Sequence, residues 1–254
     1  MRCDYDAIAD AYDLQPIRIK PPDSRWLALC DSRPGGSLAM LDLSCGGGRQ
    51  LKANAEARPG HRYIGIDPSA GMIAVARRGA PALEWHQAPA EALPFADAAV
   101  DYISWQFAHH HAVDPGRCWS ELARVLKAGG SATIENIHPE AMQDWPLYRF
   151  FPACRERDAA DFPSRDALVE LATTAGLVAA APVFRHFPAR RPLIELRAAW
   201  SDRRCCSQLM MIPEGAWQEG LAALDRIITA DPDAMIDDQV ALITLQCTKP
   251  SAIP

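Results

Sequence analysis

The stretch Leu41-Asp-Leu-Ser-Cys-Gly-Gly-Gly48 is where chemistry is first legible. Glycines between an apolar strand and a helix start let a ligand approach bare backbone at the positive end of the helix. Asp67 closes the next apolar run, where a carboxylate can accept both hydroxyls of a ribose. A dinucleotide fingerprint of the G-x-G-x-x-G kind counted from Gly46 needs glycine at 51, and Leu51 stands there. Titratable side chains gather in Trp105-Gln-Phe-Ala-His-His-His111 and in Glu135-Asn-Ile-His138. Neutral imidazole takes up protons near pH 7, so His110 and His138 are the first base candidates, followed by His109, His111 and His186. Neighbours in a row do not converge on one ion without a turn, so no metal is expected at the three histidines. Arg203-Arg-Cys-Cys206 offers vicinal thiols, a trap for a soft metalloid or plain helix residues. Arg18, Arg190 and Arg191 are counter-charges for an acidic substrate or solvated surface groups.

Apolar runs alternate with helical patterns, which predicts an α/β doubly wound, mostly parallel sheet. Strands are expected at Leu38–Leu43, Tyr63–Ile66, Leu83–His86, Ala99–Trp105, Ser131–Ile137, Leu177–Phe187 and Val240–Thr248. A helix should run from the Gly46–Gly48 turn to about Ala57, and another from Pro68 through Arg78. Asp114-Pro115 should cap a helix whose Leu122, Val125 and Leu126 follow a helical period, stopped by Gly129-Gly130. Ser164 and Gly176 bracket a further helix, and 190–235 reads as helices broken at Pro213. Trp145, Tyr148, Phe150 and Phe151 are expected either to line a lid over an apolar acceptor or to form a hydrophobic cap.

The 254 residues are 49% hydrophobic and 23% charged, which excludes a disordered chain, a collagen and a coiled coil. With 26 basic and 32 acidic residues the net charge is −6, a poor match to nucleic-acid phosphates. No signal-like or membrane-spanning run is visible, so a cytoplasmic protein is expected. The eight cysteines (3, 30, 45, 118, 154, 205, 206 and 247) form no C-x-x-C pair and should be reduced there.

Five ordered motifs make the sequence similar to the class I S-adenosylmethionine-dependent methyltransferases, in particular the small-molecule group, over roughly residues 4–180. Tyr5-Asp-Ala-Ile-Ala-Asp-Ala-Tyr12-Asp resembles that group's N-terminal helix, and Asp42-x-Ser-x-Gly-x-Gly48 its D-x-G-x-G-x-G loop. Gly65-Ile-Asp67-Pro-Ser69-x-x-Met72 resembles the ribose and adenine segment, and Ala90-Glu91-Ala-Leu-Pro94-Phe95-x-Asp97 the stretch after strand three. Arg124-Val-Leu-Lys-Ala-Gly129-Gly130 resembles the turn before strand five.

The resemblance implies a seven-stranded Rossmann-like methyltransferase sheet with an antiparallel last strand, aromatic-rich helical cap insertions, and S-adenosyl-L-methionine as cofactor. It implies that Asp42 orders the loop and reaches the methionine amino group. Gly46 and Gly48 admit the methionine moiety, and Asp67 with Pro68 holds the ribose. Met72 packs on adenine, and Ala90 offers an N–H to the adenine ring. Tyr5 and Tyr12 close over the cofactor, or serve as core aromatics. Gln106 and Glu91 complete the binding set. Two departures stand out: Ser44 replaces the first glycine, and Pro89 replaces an adenine-amino acceptor that Glu91 would have to supply.

The expected organisation is one methyltransferase domain over 1–254. It comprises an N-terminal helical lid at 1–35, a cofactor core at 36–138, cap insertions at 139–163 and 188–237, and a final strand at 238–250. The expected activity is O- or N-methylation of a small molecule in secondary metabolism. The partners expected are that acceptor alone, with no nucleic acid and no membrane, in a monomer or homodimer. The rivals are a thiol or metalloid methyltransferase using Cys205 and Cys206, and a cofactor-binding homologue that has lost methyl transfer.

Overall fold

The computed structural model describes residues 4–14 and 20–251; Cys3 and Arg18 lie outside them. The chain forms two compact units, one of residues 4–136, 165–182 and 244–254, the other of 137–164 and 183–243 with the first three residues.

The first unit holds a twisted sheet ordered β3-β2-β1-β4-β5-β8-β6. Its strands are β1 (Ala39–Leu43), β2 (Arg62–Asp67), β3 (Glu84–Gln87), β4 (Val100–Gln106), β5 (Leu126–Ile137), β6 (Val178–Ala179) and the end of β8 (Met235–Thr248). The pairs β1·β2, β1·β4, β2·β3 and β4·β5 are parallel. The β6·β8 pair is antiparallel, as expected for the last strand. Strand β1 is buried along its whole length, which is why it reads as a continuous apolar run interrupted only by Asp42.

Helices α1 (Ala9–Asp13), α2 (Ser24–Ser32), α3 (Arg49–Ala57), α4 (Ala70–Gly79), α5 (Pro115–Val125) and α8 (Arg165–Thr174) belong to this unit. Asp114 accepts from the Arg117 N–H at the start of α5, and Ser69 accepts from the Met72 N–H at the start of α4. Trp26, Met40, Leu51, Ile73 and Trp85 pack in one apolar cluster beneath them.

The second unit holds α6 (Pro146–Phe150), α7 (Pro152–Asp161), β7 (Val183–Pro192), α9 (Leu193–Trp200), α10 (Ser207–Met211), α11 (Glu214–Ala230) and the start of β8. Strand β7 pairs with β8. Phe150, Phe151 and Tyr148 are buried in its core with Trp200, Leu221 and Leu224. These aromatics therefore build the unit's interior instead of lining an open lid. Truncating the fully buried Phe151 would cost about 3–5 kcal/mol.

Three element boundaries differ from the sequence reading. The expected sixth strand is two, β6 and β7, separated by a non-strand stretch that ends in Pro182, whose nitrogen carries no proton for a ladder. That gives eight strands where seven were expected, and β7 continues through 190–192, which had read as helical. Gly129 and Gly130 do not stop a helix. Helix α5 ends at Val125, and the glycines lie inside β5, where the register slips between Val100↔Leu126 and Tyr102↔Ser131.

Candidate cofactor and active site

The sharp turn after β1 carries Ser44 at φ 59°, Gly46 at φ 54° and Gly48 at φ 78°. Ser44 thus stands in a left-handed conformation that costs a side chain about 1–2 kcal/mol over glycine. Gly48 is constrained twice. A Cβ there would lie 2.3 Å from the Trp85 ring, as would one at Gly65 on β2. The indole wedges between loop and strand and donates from Nε1 to the Ala80 carbonyl at 2.9 Å. Gly46 is open by comparison, its nearest neighbour being the Met72 sulfur at 4.0 Å, so ligand approach is feasible there.

Asp67, 8% exposed, ends β2 beside this loop. Its Oδ2 accepts from the Gly46 N–H at 2.9 Å and its Oδ1 from the Ser69 N–H at 2.9 Å. Burial raises its pKa, and those two N–H bonds pull it partly back. Each oxygen keeps a second lone pair, which is what two ribose hydroxyls need. Asp42, deeper and 4% exposed, is pushed up to about 7 by burial, with Lys20 drawing it down and Asp23 and Asp67 pushing it up. Pro68 is exposed, and its carbonyl accepts from Gln87 Nε2 at 3.2 Å.

The N-terminal segment lies against the same loop. Asp6 Oδ1 accepts from Ser69 Oγ at 2.6 Å and from the Gly71 N–H at 2.8 Å, and Asp13 accepts from Arg49 Nε at 3.0 Å. Tyr5 and Tyr12 meet edge to face at 5.6 Å and pack with Ala9, Val75 and Met72. Met72 is accordingly 2% exposed, with its thioether under this segment in place of an open adenine shelf.

Beyond β3, Ala90 is buried, and its N–H has no protein acceptor among the described residues. Glu91 does not replace the missing adenine acceptor. Its Oε1 accepts from the N–H groups of Val113 at 2.7 Å and Asp114 at 3.4 Å, so it fixes the entry to α5. Gln106 ends β4, accepts from Lys20 Nζ at 2.8 Å and donates to Ser104 Oγ at 3.2 Å.

The histidines separate. His109–His111 make one tight turn that fans the rings apart, and no group of three or more metal-capable side chains forms among the described residues. His109 is buried edge-on to Trp105. His110 stacks on His111 with centroids 3.8 Å apart, and its Nδ1 lies 2.8 Å from Asn136 Nδ2. Burial, then His111 and His109, hold its pKa well below the usual imidazole range. His111 Nε2 is hydrogen-bonded to the Tyr5 hydroxyl at 3.0 Å. His138 belongs to the second unit, 2% exposed, its ring 5.2 Å from Phe184. His110 and His138 are thus carried by different units.

His186 pairs with Gln239 at 2.7 Å on exposed surface, Arg190 is exposed, and Arg191 Nε holds Asp238 at 3.1 Å. Cys205 and Cys206 hydrogen-bond to each other, which lowers the first thiol and raises the second. Lys20, Asn136, Asp6 and Trp85 were not singled out from sequence. Asp6 was visible inside the quoted N-terminal motif, whereas nothing local marked the other three.

A doubly wound sheet of this order, with a glycine turn after β1 and a carboxylate ending β2, defines a nucleoside-binding α/β domain. Residues 41–134 match the family model described as a methyltransferase domain. The chain is 33% identical over 193 residues to 2-phytyl-1,4-naphtoquinone methyltransferase of Thermosynechococcus vestitus, covering 68% of this chain and 83% of that one. It is 31% identical over 137 residues to demethylmenaquinone methyltransferase of Chlorobaculum parvum, covering 51% and 56%. The chain spans 32% to 56% of the length of other curated relatives of this kind. A putative methyltransferase from an antibiotic biosynthesis pathway of Anabaena variabilis shares the fold with a TM-score of 0.62 at 21% identity, over 88% of this chain and 97% of that one.

The chain belongs to the class I S-adenosylmethionine-dependent methyltransferases. Its residues fit that family's cofactor: Asp67 retains lone pairs for a diol, the Ala90 N–H is unpaired among the described residues, and Gly46 leaves room. No described helix is long and apolar enough to cross a membrane.

Proposed function

We propose that this chain transfers a methyl group from S-adenosyl-L-methionine to an oxygen or nitrogen of a small-molecule acceptor. The cofactor supplies an electrophilic methyl on a sulfonium; the protein must position the acceptor and remove its proton. The observation that carries this reading is the Tyr5–His111 hydrogen bond of 3.0 Å, on the segment that packs over Met72 and the glycine loop. The neutral His111 ring accepts from the tyrosine hydroxyl at Nε2, and a proton taken from the acceptor through Tyr5 comes to rest on that nitrogen. His110 is the poorer base, because its burial favours the neutral form. Its contact with Asn136 and its stack on His111 make it a positioning residue.

A second reading, favoured by relatives named for quinone substrates, is methylation of an electron-rich ring carbon. That reaction also sheds one proton, so the same pair serves it.

The test is turnover of a panel of phenols, amines and hydroquinones with labelled methyl donor. Tyr5→Phe and His111→Asn should each lower kcat by about 10²–10⁴-fold. Affinity for S-adenosylhomocysteine, read by calorimetry, should change less than about tenfold in His111→Asn. Wild-type kcat in both variants would remove the pair from the mechanism. Tight homocysteine-product binding with no turnover of any acceptor would favour a homologue without transfer.

A further inference from the structure

Lys20 comes from a stretch with no helical or strand pattern, yet it reaches the carboxyl ends of the central strands. Its Nζ donates to Gln106 Oε1 at 2.8 Å and lies 4.0 Å from the centroid of the Phe107 ring. Phe107 is itself fixed at φ 55°, with its N–H donating to the Glu135 carbonyl at 2.8 Å, so the ring under the ammonium is rigidly placed. The charge of Lys20 is also felt at Asp42, at the buried end of β1, where it opposes the effect of burial. A cation and a carboxylate therefore stand together beside the glycine turn, within the first unit. That arrangement is the complement of an amino-acid zwitterion: an ammonium for Asp42, a carboxylate for Lys20.

We propose that Lys20 is the residue that receives the carboxylate of the cofactor's amino-acid tail, opposite Asp42. This rests on the methyltransferase reading and adds to it the recognition of the end of the cofactor away from the base. Gln106 and Phe107 hold the ammonium ready, one by accepting a proton and the other by offering the negative face of its ring. An acidic group on the acceptor could supply the same carboxylate, and the two sources predict different losses.

Calorimetry on the full chain separates them. The probes are S-adenosylhomocysteine and methylthioadenosine, which shares the nucleoside and lacks the amino-acid tail. Lys20→Met should weaken S-adenosylhomocysteine by about 10- to 100-fold, the worth of one charge-assisted contact, and leave methylthioadenosine unchanged. A pH series provides a readout that a packing role would not move. Lys20, Asp23, Asp67 and the Cys45 thiol all bear on Asp42. Removing the lysine leaves only groups that disfavour the carboxylate, so S-adenosylhomocysteine binding in Lys20→Met should recover as pH rises from about 7 to about 9. Lys20→Arg, which keeps the charge, should restore most of the loss.

Unchanged S-adenosylhomocysteine affinity in Lys20→Met would overturn the proposal, including when the acceptor KM rises, since the cation would then serve the acceptor. Equal losses for both probes would overturn it too, because the lysine would be supporting the nucleoside pocket. Wild-type chain that binds neither probe would instead remove the methyltransferase reading on which the proposal stands.

Discussion

Asp67 shows how one side chain can organise a loop and still serve a ligand. Its two oxygens each take one backbone N–H, from Gly46 and from Ser69, and so tie the turn after β1 to the start of α4. Asp67→Ala removes a bidentate, charge-assisted acceptor as well as those ties. S-adenosylhomocysteine affinity should fall by about 10²-fold or more, measured by calorimetry. Unchanged affinity would unseat Asp67 as the ribose ligand. This residue was legible in sequence because close backbone approach leaves glycines and the diol leaves a carboxylate at a strand end. Glu91 was misplaced because a carboxylate near a helix start has two uses, and here it satisfies the N–H groups of Val113 and Asp114. Lys20 and Asn136 were not legible, since their roles depend on where long-range packing sends them.

At the scale of elements, strands one to five were readable because each buries an apolar run and alternates with a helix. The split between β6 and β7 was not, because a short edge strand and an exposed one leave no common periodicity. Strand β7 is largely exposed and carries Arg185, His186, Arg190 and Arg191, so its pairing with β8 holds it instead of burial. The α3 entrance is more demanding than its glycine run suggests. Gly48→Ala would place a Cβ 2.3 Å from the Trp85 ring at φ 78°. It should cost about 2–4 kcal/mol in urea unfolding, overpacking and left-handed strain together. Gly46→Ala meets nothing nearer than the Met72 sulfur at 4.0 Å and should cost mainly the strain. Equal costs for the two would show that Trp85 yields freely.

For the whole molecule, the pH dependence of stability has a term from the second unit. Asp158, 4% exposed, accepts from the Tyr148 hydroxyl at 2.7 Å and from Gln208 Nε2 at 3.4 Å. Burial nevertheless pushes its carboxyl up to about 6. The unfolded chain releases this proton near pH 4, the folded chain near pH 6. Between those values the folded state holds more protons, so this contribution is complete below about pH 4 and lost as pH rises through about 6. The loss is about 2–3 kcal/mol. Asp158→Asn, which can still accept from Tyr148, should flatten the unfolding free energy from pH 4 to 7 relative to wild type. Parallel curves for the two proteins would mean the carboxyl titrates normally.

The Trp85 wedge also limits how this sequence can drift. The indole occupies the space that side chains at both Gly48 and Gly65 would need. Neither glycine can be exchanged while the tryptophan stays. Once the tryptophan shrinks, a cavity remains that a new side chain at either position could fill. Substitution here is ordered: position 85 must change first, and its loss is tolerable only if a partner follows. The cofactor loop and the third strand are thus tied through one ring into a single heritable unit.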